Sequence, residues 1–373
     1  MGDTSNLIMS WRSVMMVMVC LPIVISAALL FFKRFEVRAS RVLAVLLVMC
    51  VMSVGPQIIG FAGFYDVWPG LTFFPFNFEL WIGPLFYLHA FLLIKGGTAG
   101  KRLWILLPGL IQTAYYCWAF LALGDYQQKW DYSRAIHSPY IDPVENILAA
   151  GFMVLALFMV WKMSRAYKAY LQQTQSAAIE FEPVWLDRMI IAMVISAALF
   201  AGLELTPLFT PVSYIGAFPV QVALMATVAW LSIEAVWRLN QAFPKLAAAE
   251  KLPAADTSSG VQRDWQHEGR QIEAAVLANQ WFLEPRFSLK ELAKRMASNE
   301  AYVSRAINQG LKQTFNGLIN RLRVQHAQDL IRTRQQPLLN IALESGFNSK
   351  ATFNRVFRDL CGMTPSQYKK SAR

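Results

Sequence analysis

Two arginines fifty residues apart, Arg305 and Arg355, hold the most visible chemistry in this 373-residue chain. A planar guanidinium fork can donate two parallel hydrogen bonds to guanine O6 and N7, a contact worth ~1–3 kcal/mol of discrimination against a wrong base. Each Arg has companions at the same offset: Ala301 with Ala351, Ser304 with Asn354, Asn308 with Arg358. On a helix these positions share one face. Val303, Ala306 and Ile307 in the first stretch, and Phe353, Val356, Phe357 and Leu360 in the second, fill the opposite, apolar face. Lys350 falls at the edge of its polar face, where a phosphate contact fits better than base readout. The alternative is that the arginines are solvated or pair with local carboxylates. A repeat that returns an Arg to the same point of each face weighs against that. Lys290, Lys294, Arg321, Arg323, Lys369 and Lys370 read either as sequence-independent attraction for phosphate or as surface charge.

Such faces need helices that hold them outward. Ala293, Ala297 and Val303 have the spacing of a helix-turn-helix: a small residue where the helices touch, another in the turn, and an apolar anchor on the second helix. Ile341–Ala342, Gly346 and Phe353 repeat it with one extra residue in the second turn. Ser288 and Glu291 predict a capping box at the start of the first unit, and residues 266–282 read as an amphipathic helix around Ile272, Val276, Leu277 and Trp281. Between the units, Phe315, Leu318, Ile319, Leu322, Leu330 and Ile331 mark one face of a helix over 315–334. At 1.5 Å per residue it is ~30 Å long, close to the ~34 Å of one DNA turn. Two heads on such a spacer can enter successive major grooves on one side of a duplex.

The rest of the chain has a different composition. Overall the sequence is 55% hydrophobic and only 16% charged, yet carries a net charge of +11. From Gln262 onward 18 Lys and Arg stand against 9 Asp and Glu, so +9 of the +11 lies in the last third. A secreted disulfide scaffold, a disordered chain and an ordinary soluble enzyme are all excluded by this balance. Apolar runs near 13–32, 42–64, 78–94, 103–124, 147–161, 189–207 and 213–236 approach the ~20 residues a bilayer span needs. The third and fifth are short, so seven spans are predicted and six is the alternative. The first run follows Asp3, with no Lys or Arg before Arg12 and no small-residue cleavage site, which favours a span over a cleaved signal peptide. One alternate set of loops holds eleven Lys and Arg, from Lys33 to Arg188, against Arg12, Lys129 and Arg134 in the other. Positive charge stays inside, which puts the amino terminus outside and the basic C-terminal part in the cytoplasm. The expected domains are a membrane part over 1–240, a linker over 241–261 marked by Pro244, Pro253 and the Asp256–Gly260 run, and a basic domain over 262–373.

Polar groups within apolar spans cost free energy and therefore invite a functional reading. Gln57, His89, Gln112, Glu204 and Gln221 are the candidates. Glu204 is the only carboxylate clearly inside a run, able to hold a cationic or hydroxylated ligand, or else to reach the outer interface. Trp81 and Trp118 belong to an aromatic outer surface, with Tyr115 and Tyr116, that reads either as an interfacial belt or as a hydrophobic pocket. His89, Glu204, Trp81 and Trp118 are thus the candidate sensing residues. Cys20, Cys50, Cys117 and Cys361 have no metal-ligand spacing. No catalytic motif, metal set or cofactor signature is present, so neither an enzyme nor a cofactor is predicted.

The stretch NIALESGFNSKATFNRVFRDLCGMTPSQY closely resembles the second helix-turn-helix of the AraC/XylS family of bacterial transcription regulators, through Ile341–Ala342, Gly346–Phe347, Phe353, Arg355, Phe357, Gly362, Thr364–Pro365 and Tyr368. The first unit matches less tightly: the family usually has Phe where Ile307 stands and Gly where Lys312 stands. The resemblance covers about the last 100 residues. It implies a seven-helix DNA-binding domain with two reading heads that binds promoter DNA, works with RNA polymerase and usually activates transcription. The fold class expected for the whole chain is all-α, a polytopic transmembrane domain followed by a double helix-turn-helix domain. Its function is expected to be that of a membrane-embedded one-component regulator answering an unknown small-molecule or membrane signal, with dimerisation through the membrane part or the helix entering the linker. Two alternatives stay open: a membrane half that only anchors or dimerises, and a transporter or enzyme with a regulatory tail.

Overall fold

The computed structural model describes residues 10–182, 184–205, 214–238, 242–246 and 264–371. Among them the chain is all-helical, the only β-type pairing being an isolated bridge between Gln175 and Ser288. It divides into two units, Met1–Ser164 with Val184–Phe243, and Arg165–Pro183 with Pro244–Arg373. Most of the 241–261 linker lies outside the described residues.

The first unit contains α1 (Trp11–Phe31), α2 (Val37–Ser53), the short α3 (Gly55–Phe61) and α4 (Phe64–Val67), α5 (Glu79–Ile94), α6 (Leu107–Ala122), α7 (Tyr126–Tyr132) and the first part of α8 (Asp142–Thr174). After the short α9 (Ala178–Phe181), which belongs to the second unit, α10 (Val184–Leu205) and α11 (Tyr214–Arg238) complete the first unit's set. Among the described residues, five helical stretches are long and apolar enough to cross a membrane: Trp11–Phe31, Val37–Phe61, Gly100–Ala122, Tyr126–Thr174 and Ile215–Arg238. The apolar α5 is shorter, at 16 residues. The expected run at 147–161 is only the middle of the 33-residue α8, because Lys162, Arg165 and Lys168 continue the helix where charge counting ends the run. The run at 42–64 breaks instead, at Val54, since Pro56 lacks the amide hydrogen that would continue the α2 ladder.

The centre of this unit is α5, on which twelve residues from Leu80 to Ile94 are buried, packed against α2 and α6. Two predicted polar intruders are tied into that packing. His89, wholly buried, donates from Nδ1 to the Ala39 carbonyl of α2 at 2.8 Å. Gln112 of α6 accepts from the Leu80 amide at 3.1 Å, so it satisfies one of the free N–H groups that any helix start leaves open.

The second unit begins its C-terminal part with α12 (Trp265–Ala278), capped by Asp264, whose carboxylate accepts from the amides of Gln266 and His267 at 3.0 Å each. There follow α13 (Leu289–Arg295), α14 (Glu300–Arg305), α15 (Phe315–Thr333), α16 (Leu338–Glu344), α17 (Lys350–Cys361) and α18 (Pro365–Ser371). The capping box at Ser288 is half formed. Its hydroxyl accepts from the Glu291 amide at 3.3 Å, while the Glu291 carboxylate turns to Arg295 at 3.2 Å, a partner that offers charge as well as a hydrogen bond. Two cores share α15. Phe315, Leu318, Ile319 and Leu322 pack with α12 to α14, and Val324, Ala327, Leu330 and Ile331 with α16 and α17. At 19 residues the spacer is ~28 Å long.

One sequence expectation is overturned here. Arg323 is not surface charge: it is 2% exposed, in the middle of α15. Its guanidinium donates to the Phe282 and Glu284 carbonyls at 2.7 Å each, closing the loop that precedes α13. Burial pulls its pKa down to about 10, against the pull of the Glu180 carboxylate, so it stays charged at neutral pH.

Candidate nucleic-acid interface

Each helix-turn-helix is built as its sequence demands. Ala293 is buried where α13 meets its partner helix, Ala297 takes the left-handed conformation in the turn (φ 46), and Val303 is fully buried on α14. In the second unit Ile341 and Ala342 are fully buried, Gly346 makes the turn at φ 82, and Phe353 anchors α17. Asn299 caps α14 by accepting from the Tyr302 amide at 2.7 Å, and Ser349 caps α17 through the Thr352 amide at 3.2 Å. Those caps start both reading helices at equivalent points and so set the rotation of their outward faces.

On α17 the expected face is open: Lys350, Ala351, Arg355 and Arg358 are exposed and Asn354 is half-buried. Phe353, Val356 and Phe357 face the core, and Gly362 ends the helix with its amide on the Arg358 carbonyl at 2.8 Å. Thr364 caps α18 reciprocally with Gln367, bonds of 2.9 and 3.3 Å. The equivalent face on the first unit is less free. Ala301, Ser304, Arg305 and Asn308 are all half-buried; Arg305 lies over the Trp265 ring at 5.7 Å, and Asn308 donates to Ser304 at 3.2 Å. Here α14 stops at Arg305 and runs on as a π-turn over Ala306–Gly310, so the first reading helix is shorter and differently ended than the 12-residue α17.

Of the four candidate sensing residues, the three whose side chains are described have separate partners. His89 holds α2 to α5. Trp81 donates from Nε1 to Thr113 at 3.0 Å and lies against Gly109, where a Cβ would stand 2.6 Å from the indole. Trp118 is 48% exposed and packs edge-on against Tyr132 at 5.9 Å. Glu204 falls in the last turn of α10, and its side chain lies outside the described residues.

A different polar cluster occupies the first unit, one the sequence reading passed over. Glu145, 9% exposed on α8, accepts from the Tyr116 hydroxyl at 2.8 Å, and Asn77 donates to the same hydroxyl at 2.6 Å. Tyr115 stacks on His137 and meets its Nδ1 at 2.9 Å, while the other ring nitrogen lies 2.7 Å from Asp142. Glu145 escapes a sequence search because it sits two residues ahead of the apolar run at 147. Tyr115 and Tyr116 within the preceding run, aromatic residues with hydroxyls to satisfy, were the available signal. Among the described residues no group of three or more His, Cys, Asp and Glu is placed to hold a metal.

With this geometry in place, comparison with known proteins is informative for the C-terminal part. Residues 292–371 match the family model described as a helix-turn-helix domain. An uncharacterized HTH-type transcriptional regulator of Staphylococcus aureus is 32% identical over 82 residues, 22% of this chain and 11% of that protein. An uncharacterized HTH-type transcriptional regulator of Haemophilus influenzae is 33% identical over 110 residues, 28% of this chain and 35% of that protein. The match therefore spans about a tenth to a third of these relatives' length. No solved structure matches the chain significantly. The resemblance to AraC-type regulators read from the residues of α16 to α18 holds for this C-terminal region.

Proposed function

We propose that the protein is a membrane-embedded transcription regulator in which the helix-turn-helix region reads promoter DNA from the cytoplasm and the apolar helices sense a signal. The observation that carries the reading is the exposed α17 face, where Arg355 stands at the point equivalent to Arg305 on α14, within a region matching a helix-turn-helix domain. Arg355 supplies the bidentate base contact, Asn354 and Arg358 flank it, and Lys350 meets phosphate. Ala301, Ser304, Arg305 and Asn308 do the same in the adjacent major groove when their face is free. The helices of membrane-spanning length, with positive loops on the side of the C-terminal region, support an inner-membrane location.

Sensing rather than bare anchoring is supported by the buried Glu145 with its Tyr116 and Asn77 partners, since an inert anchor has no need of a desolvated carboxylate. RNA polymerase as a partner, activation as the outcome and a homodimer as the working form extend this reading from the family resemblance. Genomic DNA fragments recovered on the purified full-length protein test the core of it. Discrete promoter fragments, lost with Arg355→Ala, are the expected result; recovery of the same fragments with and without Arg355 would refute it.

A further inference from the structure

We propose that the segment from Tyr170 to Glu182 is an intramolecular cover for the first helix-turn-helix, and that while it is docked only the second reading helix can enter a major groove. The inference rests on the DNA-binding reading above and concerns how that same surface is regulated. It begins from an asymmetry. At positions matched by the fifty-residue repeat, Ala351, Arg355 and Arg358 are exposed while Ala301, Arg305 and Asn308 are half-buried. The cover is the end of α8: Tyr170, Gln173 and Thr174 line one wall of a groove of about 350 Å³ whose other wall holds Ala301, Ser304 and Arg305. A helix with its side chains is ~10–12 Å across and the major groove ~12 Å wide. An α14 with another helix end beside its reading face does not fit.

The contact is built, not grazing. Asn316 on α15 donates to the carbonyls of Gln175 and Ser176 at 3.0 and 2.8 Å, and is itself held by Asn320 at 3.0 Å. The Ser176 amide donates to the Phe287 carbonyl at 3.0 Å, and the buried Arg323 reaches the Ser176 hydroxyl at 3.3 Å. Ala178 is fully buried and Phe181 7% exposed. Glu180 then reaches the second helix-turn-helix, accepting from Asn348 just ahead of α17 and pairing with Arg286 at 3.5 Å. Asn316, Asn320 and Arg323 follow one another at helical spacing as a stripe of buried polar groups on α15; the cover supplies both carbonyl partners of the Asn316 amide and one of the three hydrogen-bond partners of Arg323, while Asn320 holds Asn316. On release Asn316 exchanges two cover carbonyls for water and Arg323 one hydroxyl, keeping its bonds to Phe282 and Glu284, whereas a purely apolar seam would be left bare. The arrangement therefore has two satisfied states, which a switch requires.

Two measurements on the full-length protein in detergent micelles test it. Hydroxyl-radical footprints on recovered genomic fragments are expected to show one protected groove segment for the wild type. Ala178→Asp, which drives a carboxylate into the dock, and the milder Tyr170→Ala/Gln173→Ala pair are expected to protect two segments about one helical turn apart and to bind at least tenfold tighter. Two segments and equal affinity in the wild type would overturn the cover. If neither form recovers a discrete fragment, the DNA-binding reading fails, and the cover is then judged without DNA. In a Cys361→Ala background, a charged maleimide is expected to label Ala301→Cys at least tenfold more slowly than Ala351→Cys. Equal labelling rates in the protein with an unaltered cover would overturn the inference whatever the footprints show.

Discussion

Two glycines in the second helix-turn-helix have similar backbone angles and different surroundings, which makes them a controlled pair. Gly346 has φ 82 and Gly362 φ 72. Alanine at either position meets the steric cost of a left-handed residue, roughly 1–2 kcal/mol. At Gly362 nothing lies within 4 Å of the added Cβ, so that cost is the whole effect. At Gly346 the Cβ would stand 2.7 Å from the Leu283 carbonyl oxygen and 2.9 Å from that of Phe282. These are backbone atoms, and the Phe282 oxygen is held by the buried Arg323, so the neighbours cannot turn aside as a side chain would. Overpacking of this kind adds ~1–3 kcal/mol. Gly346→Ala should therefore cost about 2–5 kcal/mol and Gly362→Ala about 1–2, against a domain stability of ~5–15 kcal/mol. Pulse proteolysis of the full-length protein across a urea series, followed through a C-terminal epitope, reads both. Equal midpoint shifts for the two variants would refute the close approach of the 281–283 turn to the second helix-turn-helix.

Other consequences are as direct. Arg355→Ala is expected to weaken promoter binding by ~1–3 kcal/mol and to relax selectivity at a single base pair; fluorescence anisotropy with matched and singly mismatched duplexes reads this, and parallel losses on both would count against base readout. Lys350→Ala should weaken binding to all sequences alike and lower the slope of log affinity against log salt by roughly 1; an unchanged slope would remove Lys350 from the phosphate contacts. Lys312 has φ 54 without the freedom of glycine, so Lys312→Gly should stabilise the C-terminal unit by about 1 kcal/mol. The same urea series checks it, and a lower midpoint would show that the Lys312 side chain contributes more than its backbone strain costs.

The helix-turn-helix units were legible because their geometry is enforced by residue size. A small residue at a helix crossing, a turn that must go left-handed and an apolar anchor leave fixed spacings, and Ala293, Ala297 and Val303 occupy the places those spacings assign. The long apolar helices were legible for the same reason, although their ends were not: the charges at Lys162 and Arg165 end an apolar run without ending α8. The docking of the segment after α8 left no such trace. It is made largely through the backbone of Gln175 and Ser176, and every residue type has a carbonyl. Arg323 was misread because basic residues on an exposed helix are ordinarily solvated, and nothing local marks the one that turns inward. The stripe Asn316, Asn320, Arg323 was visible as a polar line along α15, but a wet face and a buried one share that pattern until the partner is known. Glu145 was missed at the opposite extreme, by an apolar window that excluded it.

The bond from Arg323 to Ser176 joins residues 147 positions apart in the chain. At a synthesis rate of ~5–20 residues per second, the ribosome makes the earlier partner roughly 7–30 seconds before the later one. Two long helices, α10 and α11, are made in that interval. The carbonyls of Gln175 and Ser176, held in the finished fold by Asn316, lack that partner until α15 exists. The C-terminal unit is thus completed from pieces made early and late, and the segment after α8 waits for its α15 partner while α10 and α11 are made.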